Sequence, residues 1–359
     1  MSIVPLYGHA ALRERLLGAL RRGTLPASLL LHGPAGVGKQ RLALWLGQAL
    51  VCASPTKTAE PCGRCQACRY ASALAHPDVH WFFPRPRLRD GDPTADEVVA
   101  DYRDAVADRV AAGGLYAPSS GSEGIYVATV RAIVQLACMT PAMAQRKVFL
   151  IGDAERMVPQ EGSEFAANAL LKLLEEPPAN THLILTSSEP GALLPTVRSR
   201  VVNVRVAPLT DRDVDAFLAD PIVVAALRSH TARSLSERVR AAEGAPGRLF
   251  GSRERENATA AAERLLESAL SADRSRALRA AMAQGSTKAR GLFSDTLDEL
   301  TALLASRARA AVGRGDHPMA LAATRAIASV EQAKTLAAGN VNPALITATL
   351  LRDLTSVLT

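Results

Sequence analysis

The chain has 359 residues, of which 48% are hydrophobic, 21% charged and only 4% aromatic, with a formal net charge of +7. That length allows two or three domains with their own cores, and the Ala- and Leu-rich composition favours helices. No run of eighteen apolar residues occurs, which excludes a membrane-spanning helix, and Met1 to Pro5 lack the basic-then-apolar order of a secretory leader.

In chain order, residues 1 to 28 read as a lead-in and one amphipathic helix, with His9, Leu12, Leu16, Leu17 and Leu20 at helical spacing. Gly23 to Pro26 breaks it. The apolar run Leu29-Leu30-Leu31 then leads into Gly33-Pro34-Ala35-Gly36-Val37-Gly38-Lys39-Gln40. The order is strand, Gly-rich turn, helix, which is the order of a phosphate loop. Gly33, Gly36 and Gly38 let backbone N–H groups converge on phosphate oxygens, and Lys39 adds a positive charge for the terminal phosphates of ATP or ADP. The pattern G-x-x-x-x-G-K-[ST] is met at Gly33, Gly38 and Lys39 but not at position 40, which is Gln. A hydroxyl there normally holds Mg2+, and an amide is a poor substitute. The sequence thus carries the cradle and lacks one magnesium ligand. Arg41 to Val51 continues as a helix with Leu42, Leu46, Ala49 and Leu50 on its buried side.

Four of the five cysteines cluster as Cys52, Cys62, Cys65 and Cys68. Two residues between successive thiolates let them reach one tetrahedral ion, so the spacing points to a structural Zn2+ site with no open position. A Cys-ligated iron–sulfur cluster and two reducible disulfides are the alternatives. His76 could replace one thiolate, but its neighbourhood reads as the approach to a strand. Cys138 stands among apolar residues and reads as a core thiol.

Residues 77 to 83 read as a strand. A polar segment follows from Pro84 to Gly124, with one helix opened by a capping box, Thr94 to Glu97, and closed by Gly113-Gly114. We expect it to be a solvated excursion on the surface. Ile125 to Ala137 is helical and Pro141 breaks it. Val148 to Ile151 is a buried strand ending in Gly152-Asp153-Ala154-Glu155, and Ser163 to Glu176 is a helix stopped by Pro177-Pro178. His182 to Thr186 is a further strand. Alternating strands and helices after a phosphate loop indicate a parallel sheet with helices on both faces. Leu193 to Val206, with its basic Arg198-Ser199-Arg200, closes this domain. Beyond Pro208 only helices are expected, starting at Thr210, with breaks near Gly285, Gly313 to Gly315 and Gly339 to Pro343. The expected domains are 1–207, with the cysteine module at 52–68 and the insertion at 84–124, a helical lid at 208–252, and an all-α bundle at 253–359.

Several motifs now agree: the phosphate loop, the four cysteines, the run Asn168-Ala169-Leu170-Leu171-Lys172-Leu173-Leu174-Glu175-Glu176-Pro177-Pro178, and Leu194-Pro195-Thr196-Val197-Arg198-Ser199-Arg200. Over about residues 1 to 250 the chain resembles the delta-prime subunits of the bacterial DNA polymerase III clamp loader, a branch of the AAA+ family. Asn340-Val341-Asn342-Pro343 resembles the start of that family's last helix. The resemblance implies a zinc module at Cys52, Cys62, Cys65 and Cys68. It also implies that Ser199-Arg200 corresponds to a Ser-Arg-Cys motif, with Val201 in place of the Cys, whose arginine projects into the ATP site of the neighbouring subunit. Thr186-Ser187-Ser188 matches the sensor-one strand end. Arg248, in Gly244 to Arg248, matches the sensor-two arginine that touches a phosphate.

Alignment with the family pattern also shows departures. Lys147 to Met157 sets Gly152 at the magnesium-binding Asp and Asp153 at the water-polarising Glu; a one-residue shift makes Asp153 the magnesium ligand and leaves Ala154 at the Glu. Either register, with Gln40, implies weak or absent hydrolysis. The implied protein is a subunit of a heteropentamer with gamma/tau and delta subunits, acting in the bacterial cytoplasm at the replisome. Such a complex places a sliding clamp on primer-template DNA, and this subunit would supply Arg200 in trans. The alternatives are a catalytic gamma/tau-type ATPase, opposed by Gln40 and Gly152, and a stand-alone DNA-binding module, favoured only by the basic charge.

Overall fold

The computed structural model describes residues 3–88, 93–116, 123–157, 164–227, 234–250, 253–271, 290–338 and 341–358. They form two compact units, one ending at Phe250 and the other lying beyond it.

The first unit is built on a five-stranded sheet: β1 (Ser28–His32), β2 (Val79–Phe82), β3 (Lys147–Ile151), β4 (Thr181–Ser187) and β5 (Val202–Arg205). The order across the sheet is β2-β3-β4-β1-β5, and every pairing is parallel. Leu29, Leu30 and Leu31 are successive residues that point to alternate faces, yet all are buried; so are Val148 to Ile151 and Leu183 to Leu185. Both faces are therefore covered, as expected for crossover connections made by helices. The expected parallel sheet is borne out. β5 was not foreseen as a strand: it is a short edge strand within a basic run, and only Val204 of its four residues is buried.

The helices of this unit are α1 (Ala10–Arg21), α2 (Lys39–Val51), α3 (Gln66–Ser72), α4 (Ala95–Ala111), α5 (Val127–Cys138), α6 (Glu164–Glu175), α7 (Pro195–Arg198), α8 (Asp211–Leu218), α9 (Pro221–Ala226) and α10 (Leu235–Ala242). The capping box of α4 is present: the Thr94 side chain accepts from the Glu97 N–H, and Glu97 accepts from the Thr94 N–H at 2.7 Å. The 84–124 segment is not a solvated excursion. Val98, Tyr102 and Ala105 are buried, the Tyr102 hydroxyl donates to the Phe83 carbonyl at 2.6 Å, and Arg85 pairs with Asp101 through two bonds of 3.0 and 2.8 Å. The apolar residues of α4 fall on one stripe and are drawn onto β2 and α5. Cys138 is also corrected: the buried face of α5 is Thr129, Val130, Ala132, Ile133 and Ala137, so the next residue turns outward and Cys138 is exposed.

The approach to β3 is fixed by a buried carboxylate. Asp78 is 1% exposed and accepts three consecutive N–H groups, from Ala142 at 2.6 Å, Met143 at 2.8 Å and Ala144 at 2.7 Å. Lys147 completes the corner, its Nζ donating to the Leu136 and Met139 carbonyls at 2.8 and 2.7 Å. Burial opposes the Asp78 charge, but the three N–H donors outweigh it and hold its carboxyl below the usual range. Because the folded value is depressed, this stabilisation is present above the unfolded value of about 3.9 and is lost as pH falls through the folded value. Asp78→Ala should cost about 3 kcal/mol by orphaning three donors, and the gap to wild type should narrow in urea melts as the pH is lowered through the depressed carboxyl value.

A smaller apolar cluster gathers Val4, Val214, Leu218, Val223, Leu227, Ala242 and Phe250. Thr210 caps α8, as expected, and Asp220 caps α9 through the Ile222 N–H. The lead-in ties these helices to the insertion: the Tyr7 hydroxyl donates to Asp220 at 2.8 Å, and the Val4 N–H donates to the Gly113 carbonyl at 2.8 Å. A side chain on Gly113 would collide with Ile222, and Leu115 packs on the lid cluster, so the insertion holds the lid as well.

The second unit is helical: α11 (Arg253–Leu270), α12 (Arg290–Gly313), α13 (His317–Ala338) and α14 (Pro343–Leu358). Leu297, Leu300 and Leu304 meet Ala326, Val330 and Ala333, and Ile346, Leu350 and Leu354, at three- and four-residue spacing. The break expected near Gly285 lies outside the described residues. Among the described residues no helix is long and apolar enough to cross a membrane.

Candidate functional site

The topology collects the candidate residues. Gly33 follows β1, Gly152 and Asp153 follow β3, and Ser188 follows β4, so all four stand at the carboxyl ends of three adjacent parallel strands, where α/β sheets place their ligands. Gly38 caps α2 with a left-handed backbone and Lys39 is the first residue of that helix.

Lys39 is turned onto its own loop. Its three ammonium donors go to the Gly33 carbonyl, the Pro34 carbonyl and Ser188 Oγ, each at 2.9 Å. Burial pulls its pKa below the usual range, while the carboxylates of Asp153 and Glu155 act to retain the charge. With every donor engaged, Lys39 has none left for a phosphate in this arrangement. The loop is also covered. The Gly247 N–H donates to the Gly36 carbonyl at 2.9 Å. A Cβ on Gly36, at φ 81°, would stand 2.7 Å from the Arg248 nitrogen, so the two backbones touch where only glycine fits. His9 Nε2 donates to the Val37 carbonyl at 3.0 Å from the other side.

The altered metal positions form a matched set. Gln40 accepts from the Trp81 indole N–H at 3.0 Å and donates to Asp153 at 3.1 Å. A Cβ on Gly152 would lie 2.5 Å from Gln40 Oε1. The amide therefore fills the volume that a carboxylate-bearing residue at 152 would need. Asp153 itself has a left-handed backbone, and its N–H donates to Thr186 Oγ1 at 3.2 Å. Gly152→Asp alone should cost about 2 kcal/mol through overpacking, and Gln40→Thr a similar amount through the orphaned Trp81 N–H. Combined, the two changes should cost less than their sum by about 1 kcal/mol or more, read from a double-mutant cycle of urea midpoints.

Neighbouring groups extend this network and were not legible in the sequence. Arg109, from the insertion, stacks over Phe83 at 3.2 Å, Tyr116 at 3.8 Å and Trp81 at 4.5 Å; burial pulls its pKa down, while Tyr116 and Asp153 act to retain its charge. Glu155 accepts from the Ser188 N–H at 2.9 Å, with its other oxygen buried and unpartnered; burial, then Asp153, pushes its pKa up. The aromatic content of Trp81-Phe82-Phe83 was the only sequence signal for this cage.

Arg200 and Ser199 lie elsewhere, at the end of α7. Arg200 donates from Nε to Glu175 at 2.6 Å and from Nη1 to the Thr196 carbonyl at 2.9 Å and to Ser199 Oγ at 3.3 Å. Glu175 was part of the quoted motif but had no role assigned to it. Arg248 approaches the phosphate loop with its backbone, while its guanidinium pairs with Glu243 at 3.0 Å.

The four cysteines converge. Their sulfur atoms all lie within 4.8 Å of one another, with Cys52–Cys65 and Cys62–Cys68 at 4.0 Å. A tetrahedral ion with bonds of about 2.3 Å requires edges of about 3.8 Å, so the set fits a metal such as zinc. Backbone N–H groups point at the sulfurs: Cys62 N to Cys52, Cys65 N to Cys62 and Cys68 N to Cys65, at 3.3–3.4 Å. The Cys65 and Arg64 N–H groups hold the Cys62 thiol down at about 6, and burial pushes Cys68 up. The structure keeps His76 out of the set: it is buried beside Asp78, whose N–H donates to its Nδ1 at 3.0 Å.

The family model described as DNA polymerase III, delta subunit, matches residues 8–210. The chain is 34% identical over 174 residues to the DNA polymerase III subunit delta' of Pseudomonas aeruginosa, covering 48% of this chain and 41% of that one. It is 26% identical over 234 residues to the subunit delta' of Escherichia coli K12, covering 65% and 56%. It is also 30% identical over 218 residues to the subunit gamma/tau of Mycobacterium bovis, covering 61% and 31%. The matches span about half the length of the delta' relatives.

Proposed function

Because the chain belongs to the family described as DNA polymerase III, delta subunit, we infer that it serves in a clamp-loader complex as a delta-prime-type subunit, non-hydrolysing itself and lending Arg200 to a neighbour's ATP site. The partners are gamma/tau and delta subunits in a heteropentamer. The substrate of the assembly is a sliding clamp and primer-template DNA, in the bacterial cytoplasm. The lid, residues 208–252, belongs with the AAA+ part, and residues 253–359 form the assembly bundle.

The observation that carries this reading is the interlocked pair Gln40 and Gly152. Mg2+ would have to be held by a hydroxyl at 40 and a carboxylate at 152, and this chain offers an amide and a hydrogen atom. Asp153, the remaining acid, is hydrogen-bonded to that amide. Lys39 and the glycine backbone would hold the phosphates if the Gly36–Gly247 contact opened. The neighbour's site would gain a guanidinium where charge develops on the transferred phosphoryl group.

The test uses the purified chain alone and in complex with its partner ATPase subunits. The chain alone should show no ATP turnover, and Lys39→Ala should change nothing. Its addition to the partners should raise their DNA-stimulated turnover. Turnover by the isolated chain that Lys39→Ala abolishes would instead make it the gamma/tau-type ATPase.

A further inference from the structure

We propose that Glu175 is a positioning residue that holds Arg200 in the pose from which it reaches the neighbouring subunit; this rests on the trans role inferred above. Glu175 Oε1 accepts from Arg200 Nε at 2.6 Å. Two groups of the preceding turn fix another nitrogen of the guanidinium. Nη1 donates to the Thr196 carbonyl at 2.9 Å and to Ser199 Oγ at 3.3 Å, and the Ser199 hydroxyl donates to that same carbonyl at 3.1 Å. A planar fork held through two of its three nitrogens has its plane set, so the direction of its other donors is set as well.

The placement of Glu175 suits the task. It is the last residue of α6, and Pro177-Pro178 stop the helix just beyond it, so its backbone is fixed by a rigid element. The partnered side chains are 28% and 48% exposed. A pair so open to water is screened and adds little to stability. Its contribution is orientation: an unheld arginine spreads over many rotamers, and a held one meets its phosphate already ordered. This also gives a role to Glu175 within the Asn168–Pro178 run.

The experiment measures single-turnover ATP hydrolysis by the complex assembled with its partner ATPase subunits, and kcat here is the rate of the phase that Arg200 serves. Glu175→Ala should lower kcat about tenfold, with KM for ATP and the yield of complex unchanged within about twofold. Glu175→Gln keeps an acceptor oxygen and should hold kcat within about twofold of wild type. In an Arg200→Ala background, Glu175→Ala should have no further effect. A Glu175→Ala complex at wild-type kcat beside a slow Arg200→Ala complex would overturn the proposal, as would independent, multiplicative losses in the double variant. If Arg200→Ala itself runs at the wild-type rate, the trans reading fails first, and that outcome is separate from the other two.

Discussion

In the assembled complex, Arg200→Ala should slow hydrolysis at the neighbouring subunit's site by about three orders of magnitude, the ordinary worth of an arginine finger. The inferred complex would hold several ATP sites, so the measurement should be single-turnover hydrolysis, in which one kinetic phase is lost and the others persist. The loss should fall on kcat, since the guanidinium meets charge that is largest in the transition state. Arg200→Lys should recover only part of it, because an ammonium restores a point charge but not the planar fork. The substitution should leave the chain's own melting temperature within about 1 °C, since the Arg200–Glu175 pair is solvent-screened. A loss of assembly instead of a loss of rate would relocate Arg200 from chemistry to packing.

The second large effect concerns the metal module. Cys68→Ser should abolish zinc in metal analysis and lower the melting temperature by roughly 4–13 °C. Isolated zinc modules draw about 10–16 kcal/mol from their ion, and even a fifth of that, at 2–4 °C per kcal/mol, gives such a shift. Cys68 is the buried member of the four, at the start of α3, and Ala67 and Ala71 of that helix are buried as well. Loss of the ion should therefore loosen α3 against α2, where Gln48 Nε2 donates to Ser72 Oγ at 2.9 Å and to the Cys68 carbonyl at 3.3 Å. Cobalt substitution gives an independent check: four thiolates produce intense tetrahedral bands, whereas a brown chromophore as purified would indicate iron and sulfide. Four oxidised cysteines with no metal would return the module to disulfides.

What could be read from the chain alone followed from local rules. Leu29 to Leu31 and Val148 to Ile151 announced strands because a parallel sheet buries both faces of each strand and needs no alternation. Thr94 and Glu97 announced a helix start because the capping box is complete within four residues. The four thiols were legible because metal spacing is local too. β5 was missed because it is short and lies in a basic run, although Val202, Val204 and Val206 alternate with Asn203 and Arg205. Cys138 was misjudged because its neighbours in sequence are apolar, while the helical rotation of about 100° per residue takes it off the buried face. The insertion was misread because its anchors, Phe83, Val4 and Ile222, lie in three other parts of the chain. The phosphate loop's real condition was beyond sequence for the same reason: Gly36 is closed by Gly247, and Gln40 is satisfied by Trp81, across contacts that no spacing rule reports.

One contact has a bearing on physiology. Where Gly36 and Gly247 meet, the phosphate loop and the lid are bonded backbone to backbone, and Gly113 and Val4 brace the same lid from other directions. For a nucleotide to reach the Gly36 backbone, that contact would have to part first.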